Sequence, residues 1–449
     1  MPTENSVTAK ARIVYIGGDE GCAALTLPFA DAGYELVLQR HAGGADIGLI
    51  DLRGRQVTDE KAKALATLLR KSAPECAILI IIDPFIDEQI RKTLRKHGEL
   101  IAMQTQPDGL IERCRKTIRL RNIAEETGER LKTLASLNRL SQFPPIAAPA
   151  MPLRVLIAGA PGPAALAAVN ALVASVEKCV CVFSAGQALR ATETASFDAA
   201  IFLPAQRNDP LLSLARSLRR HPKHASMPII FPINDPDEAA ALSKRGASDF
   251  LLTSHIASEL CAKVQVSARR ARLLKSMRRF LQTCEGEGIR DMASGAFTVD
   301  FLAEHGARLC ARADQHGRPL AIGTIFLEKD GAGSLKNTSD KQALHQATRL
   351  INRVTRAEDV AVRVASDTFI LLMPATTEEN AAKAGLRIQG VLENTVFRSP
   401  NDETLYSVRA NVTACARPAA FCIEESVALA LAVLRESKTA TALSRQFPQ

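Results

Sequence analysis

Short runs of Val, Ile and Leu recur along the first half of the chain, alternating with polar stretches that carry apolar residues at helical spacing. Arg12–Ile16, Glu35–Gln39, Ile47–Asp51, Ala77–Ile82 and Leu100–Gln104 read as strands, with helical segments between most of them. Strands apolar on both faces and separated by helices predict a parallel sheet covered on both sides. Five of them fit a doubly wound, flavodoxin-like unit, predicted over residues 1–142. The pattern then repeats in the same order over residues 153–284, at Arg154–Ala158, Cys179–Phe183, Ala199–Leu203, Pro228–Pro232 and Asp249–Leu252. The Pro-rich stretch FPPIAAPAMP, residues 143–152, marks the joint. Ahead of it, Ile111–Leu140 predicts one long helix, rich in Arg and Glu, that leaves its own domain to pack against a neighbour. The second unit closes on the basic helix Ser258–Cys284, and residues 285–449 predict a third, mixed-sheet α/β unit.

Composition supports this division. A chain of 449 residues suits three domains at roughly 150 residues each. With 47% apolar and 23% charged residues, each can bury a core, which argues against extended disorder. The net charge of +9 is concentrated in helices such as Arg113–Arg121 and Arg269–Arg279, where a solvated helix face is the usual meaning. Nucleic-acid binding is disfavoured, because there is no Trp, Tyr is scarce and no stacking platform interleaves the basic residues. The ten cysteines form no C-x-x-C pair. Cys179 and Cys181 share one face of a strand, but nothing nearby completes a metal-ligand set, and free thiols in a reducing cytosol are the expectation. No apolar run approaches the roughly 18 residues of a membrane span, and MPTENSVTAK lacks the apolar core of a signal peptide. The expectation is a cytoplasmic protein with no membrane insertion.

Candidate chemistry gathers in residues 356–369, RAEDVAVRVASDTF. Arg356 offers a planar fork that can pair bidentately with an acceptor edge or reach a phosphate. The Asp359 carboxylate can accept from neighbouring N–H donors. The plain alternative is a local surface ion pair, which contributes little. After this tetrad, the apolar runs Val360–Val364 and Phe369–Met373 predict a hairpin.

The segment resembles the heart of a GGDEF (diguanylate cyclase) domain, and the layout resembles receiver–receiver–GGDEF response regulators over nearly the whole chain. The resemblance implies that Arg356 and Asp359 form an RxxD site for cyclic di-GMP, bound as an intercalated dimer. It places a second arginine after the hairpin, where Arg387 stands in KAGLRIQG. The five positions of the catalytic GG[DE]EF hairpin hold Ala365, Ser366, Asp367, Thr368 and Phe369. A metal-binding Asp is implied on the strand after an R-P-L lead-in, here Arg318-Pro319-Leu320, and that position is Phe326, with Glu328 the next residue of matching phase. The guanine-reading positions fall near Ser334 and Lys341, with Asp340 one residue away. Cyclisation needs metal ions to activate a hydroxyl and clamp a triphosphate, and phenylalanine cannot coordinate one. Paired glycines let a backbone approach phosphates closely, and Ala365 and Ser366 each put a Cβ into that space. The expectation is a cyclic di-GMP-binding effector with no cyclase activity and no catalytic metal. By resemblance its partners are a second copy in a homodimer, polar recruitment factors and the adaptor machinery of regulated proteolysis in cell-cycle control.

For the first unit the same likeness implies a phosphoacceptor at Asp51. The acid pair that would hold Mg²⁺ is replaced by Gly17 and Gly18, with Asp19 and Glu20 shifted along, and the usual Lys position holds Gln106. In the second unit Leu203 stands at the acceptor position, Ala158 and Gly159 near the acid pair and Thr253 at the Lys, which leaves a structural role. Three alternatives stay open: a residual cyclase using Asp367 and Glu328, a scaffold switched by phosphorylation at Asp51, and nucleic-acid binding through the basic helices.

Overall fold

The computed structural model describes residues 11–38, 45–54, 58–72, 76–83, 86–102, 107–139, 152–206, 208–235, 238–284, 288–329, 333–334, 340–398 and 405–446. The first unit runs β1 (Arg12–Ile16), α1 (Asp19–Asp31), β2 (Glu35–Leu38), β3 (Ile47–Asp51), α2 (Asp59–Ser72), β4 (Ala77–Ile82), α3 (Glu88–Leu94), β5 (Glu99–Ala102) and α4 (Pro107–Ser136). Its five strands are parallel in the order β2-β1-β3-β4-β5. Alternate residues of one strand serve opposite faces. Val14, Ile50 and Ile80 join one core layer, while Ile13, Leu49 and Leu79 join the layer under α1 and α4. That double coverage is why the strands read as continuous apolar runs.

The second unit runs β6 (Arg154–Gly159), α5 (Pro163–Leu172), β7 (Lys178–Val182), α6 (Ala185–Thr194), β8 (Ala199–Leu203), α7 (Pro210–Arg220), β9 (Ile229–Ile233), α8 (Glu238–Ser243), β10 (Asp249–Leu252) and α9 (Ile256–Gln282). Its sheet is again parallel, in the order β10-β9-β8-β6-β7, the same winding as the first. Most of the Pro-rich joint lies outside the described residues.

The third unit contains α10 (Val299–His316), β11 (Leu320–Lys329), β12 (Gly333–Ser334), α11 (Lys341–Val354), β13 (Val360–Arg363), β14 (Thr368–Pro374), α12 (Glu378–Glu393), β15 (Phe397–Arg398), β16 (Leu405–Tyr406), β17 (Val408–Ala416) and α13 (Ile423–Gln446). Here the strand pattern predicts a mixed sheet, and the pairing corrects it. β11 lies between β14 and β17, β13 flanks β14, and all these pairs are antiparallel. A helix between two strands usually makes a parallel crossover. In this unit α11 delivers the chain to β13, and the hairpin then returns β14 antiparallel to β11. An isolated bridge between Phe297 and Val362 is parallel.

Helices α4 and α9 meet α10 at a junction of all three units. Ile123 and Leu134 of α4 and Met277, Phe280 and Leu281 of α9 share one buried cluster with Phe297, Phe301 and Leu302. A polar seam runs through it. Arg130 donates to Glu126 Oε1 from Nε at 2.9 Å and to the Leu281 carbonyl at 2.9 Å, and His305 Nε2 contacts the same Glu126 oxygen at 3.0 Å. Arg318 reaches Asp46 of the first unit at 2.6 Å and Glu125 of α4 at 2.5 Å. The basic helices therefore depart from the expected solvated faces. Arg121 pairs with Asp46 and Glu125, Arg113 with Glu99, Arg270 with Glu99, and Arg272 with Asp198. The sequence shows where the arginines cluster, but their acidic partners lie far along the chain.

Candidate functional site

The turn between α11 and β13 carries Arg356 and Asp359. The backbone N–H of Arg356 donates to Asp359 Oδ2 at 2.7 Å, which closes the turn. The Arg356 guanidinium is exposed and reaches Thr376 Oγ1 at 3.4 Å, while Asp359 Oδ1 has no hydrogen-bond partner among the described residues. The two groups thus do not pair as a side-chain ion pair, and each keeps capacity for a ligand. Burial pushes the Asp359 carboxyl up to about 7, against the Arg356 N–H, and the charges of Glu358 and Glu126 add to the rise. Arg387 stands exposed on α12 among exposed positions that include Leu386. Among the described residues no hydrogen bond or ion pair joins it to Arg356 or Asp359.

The hairpin forms as the apolar runs predict, with Arg363 opposite Phe369 in the register. Phe369 is buried in the core and Asp367 lies at the tip, where its carbonyl accepts from Leu327 N–H at 2.8 Å. Its carboxylate accepts from the Thr368 hydroxyl at 2.9 Å. Arg363 is the residue that sequence reasoning missed. Its guanidinium folds back over the tip, donates to the carbonyls of Ala365 and Ser366, and pairs with Asp291 at 2.9 Å. Phe326 sits opposite Thr368 on β11, and the Lys438 ammonium lies 3.2 Å from the centre of its ring. A cation held over the negative face of an aromatic ring is a favourable arrangement. Glu328 is exposed on the same strand. Asp340 is buried at the start of α11, beside Lys329 at 3.8 Å and the Tyr406 hydroxyl at 3.2 Å, and Lys341 is exposed next to it. The side chain of Ser334 lies outside the described residues.

A family model described as diguanylate cyclase, GGDEF domain, matches residues 337–441. The third unit contains a GGDEF domain. The curated response regulator PleD of Caulobacter vibrioides is distantly homologous, 24% identical over 221 residues that make up 48% of each chain. The chain thus matches about half the length of its curated relatives. Among solved structures, the GGDEF domain of DgcB from Caulobacter crescentus in complex with c-di-GMP is 15% identical, covers 35% of this chain and 91% of its own, and gives a TM-score of 0.32. Diguanylate cyclase SiaD of Pseudomonas aeruginosa in complex with its activator SiaC is 20% identical, covers 45% and 75%, and gives 0.31. Within the GGDEF domain, then, Arg356, Asp359 and the Ala365–Phe369 tip lie on one hairpin and the turn that enters it.

In the first unit Asp51 ends β3 and is buried. Arg53 binds both of its oxygens, from Nε at 3.0 Å and Nη2 at 2.6 Å, and the Tyr15 hydroxyl donates to Oδ2 at 3.0 Å. Burial alone would raise this carboxyl, but the hydrogen bonds from Arg53 outweigh it and hold the group below its usual range. Gly17 and Gly21 make room for the ring, since a Cβ at either would run into Tyr15. Asp19 and Glu20 are exposed in the first turn of α1, and among the described residues no hydrogen bond joins them to Asp51. Gln106 lies outside the described residues. A carboxylate clamped by a bidentate guanidinium has its lone pairs occupied, which opposes both Mg²⁺ binding and attack on phosphorus. Acetyl phosphate with Mg²⁺ is accordingly expected to leave the wild type at the background of an Asp51→Asn control by intact-mass measurement. Clear labelling above that control would show that the clamp opens.

In the second unit Leu203 pairs with Gly159 across the sheet, and Thr253 donates to the Ile233 carbonyl at 3.2 Å. Among the described residues no group of three or more His, Cys, Asp or Glu is placed to hold a metal, and no helix is long and apolar enough to cross a membrane.

Proposed function

We propose that the chain is a cyclic di-GMP-binding signalling protein without diguanylate cyclase activity, and that Arg356, Asp359 and Arg387 hold the ligand. The observation that carries this reading is the Arg356 turn, where an exposed guanidinium stands beside a carboxylate with an unpartnered oxygen. The guanidinium fits guanine O6 and N7 or a phosphate, and the carboxylate fits the N–H groups of the same base. A second guanidinium at Arg387 suits a ligand stacked as a dimer. Against turnover stand two features of the hairpin face. Phe326 offers no oxygen to a metal and lies under the Lys438 ammonium, and Arg363 already occupies the carbonyls of the tip. The parallel-sheet units then act as receiver-like scaffolds, and homodimer formation and protein partners belong to the same reading.

Calorimetry on the full chain tests it. Cyclic di-GMP is expected to bind the wild type at micromolar affinity or tighter and to lose measurable binding to Arg356→Gly. The wild type supplied with GTP and Mg²⁺ is expected to release no cyclic di-GMP. Equal binding by both proteins places the site elsewhere, and sustained product formation overturns the binding-only reading.

A further inference from the structure

The GGDEF domain holds a second acid at the Arg356 turn that the RxxD likeness does not assign. Glu358, adjacent to Asp359, is 3% exposed, and its Oε2 has no hydrogen-bond partner among the described residues. Asp359 Oδ1 is in the same condition. A buried carboxylate oxygen without a donor is unfavourable, so each such group calls for an explanation. The surroundings do not supply them. Glu126 of α4 is close enough to raise the Asp359 carboxyl further, and its own Oε2 is unpartnered. The cation that senses Glu358 is Arg278 of α9, itself half-buried and repelled by Arg119.

Two acceptor oxygens on neighbouring residues, with an exposed guanidinium at the start of the same turn, define what would fit. A partner that presents more than one N–H donor beside acceptors for an arginine would satisfy all three groups. The guanine edge does so, with N1–H and the exocyclic amine as donors and O6 and N7 as acceptors. Adenine presents an acceptor at N1, which would face a carboxylate. We propose that Glu358 is a second guanine-reading acceptor, sharing the donors of one base with Asp359. The inference rests on the ligand reading above and deepens it. Both oxygens are shielded from solvent in the unliganded turn.

The experiment combines calorimetry with unliganded thermal unfolding on the full chain. Wild type, Glu358→Gln and Arg356→Gly are each titrated with cyclic di-GMP, GTP and cyclic di-AMP. Glu358→Gln is expected to bind cyclic di-GMP about tenfold more weakly or worse, because it replaces a charged acceptor with a neutral amide. It is also expected to unfold at the same or a higher temperature than wild type, because it removes an unpaired buried charge. Cyclic di-AMP is expected to bind none of the three. Unchanged cyclic di-GMP affinity in Glu358→Gln, with wild-type binding intact, overturns this inference and leaves the ligand reading standing. A lower melting temperature in Glu358→Gln also overturns it, since Glu358 would then be a structural group. GTP binding that both substitutions weaken supports the same guanine-reading role with a mononucleotide as the source. A wild type that binds neither guanine compound overturns the ligand reading and this inference together.

Discussion

Arg130→Met is expected to destabilise the protein by roughly 3–5 kcal/mol, the scale seen when one member of a buried ion pair is removed. The native side chain is 1% exposed and sits in a pocket with Glu126, which is 3% exposed. Burial alone would raise the Glu126 carboxyl, and His305 and Arg130 together hold it below its usual range. Methionine fills much of the same volume but leaves that carboxylate with His305 alone and strands the Leu281 carbonyl that Arg130 Nη1 now satisfies. The penalty therefore comes from an uncompensated charge more than from lost packing. Removing both charges should recover most of it, so the double variant Arg130→Met, Glu126→Leu is expected to lie much nearer wild type. Urea unfolding followed by circular dichroism measures all three proteins. A single variant that unfolds at the wild-type midpoint, with an unchanged slope, would mean that the seam contributes little.

Affinity for cyclic di-GMP is expected to fall by about tenfold per pH unit below pH 7, which is about 1.4 kcal/mol for each unit. The cause is Asp359. Burial first, then Glu358 and Glu126, push its carboxyl up to about 7, so near neutrality the free protein is divided between protonated and ionised forms. Guanine N–H groups need the ionised form as acceptor, so the ligand must displace a proton at lower pH. Stability of the unliganded fold runs the other way. A carboxyl raised in the folded state contributes fully below its unfolded value near 4, and the contribution is lost as pH rises through about 7. Calorimetry at about one unit on either side of neutrality reads the first effect. Affinity that stayed flat across that range would remove Asp359 from direct contact with the base.

Much of this architecture was legible from the apolar runs. Strands such as Ala77–Ile82, buried along most of their length, announce a parallel sheet, and both windings follow from them. The hairpin was legible for the same reason. Strand direction in the third sheet was not, because a helix followed at once by a hairpin can return the chain in either sense. The surroundings of each candidate residue were less legible still. Asp51 could be placed at a strand end, yet Arg53 is only two residues on and nothing in its type marks it as a clamp. The one available signal was the small residues Gly17 and Gly21, which leave space for the Tyr15 ring. Lys438 over Phe326 and Arg318 bridging Asp46 to Glu125 join residues far apart in the chain, and local pattern carries no trace of such pairings. Arg363 was hidden differently, as a polar residue in an apolar strand that reads as an exposed position but is buried.

The stacking of Lys438 on Phe326 bears on how this hairpin face can change over evolutionary time. A carboxylate arising at position 326 would meet an ammonium before it met any ion from solution, and the two would neutralise each other as a salt bridge. A first step toward a metal-binding strand would bring no chemistry for selection to act on until position 438 changed as well. Two substitutions, each without benefit alone, separate the present surface from a coordinating one.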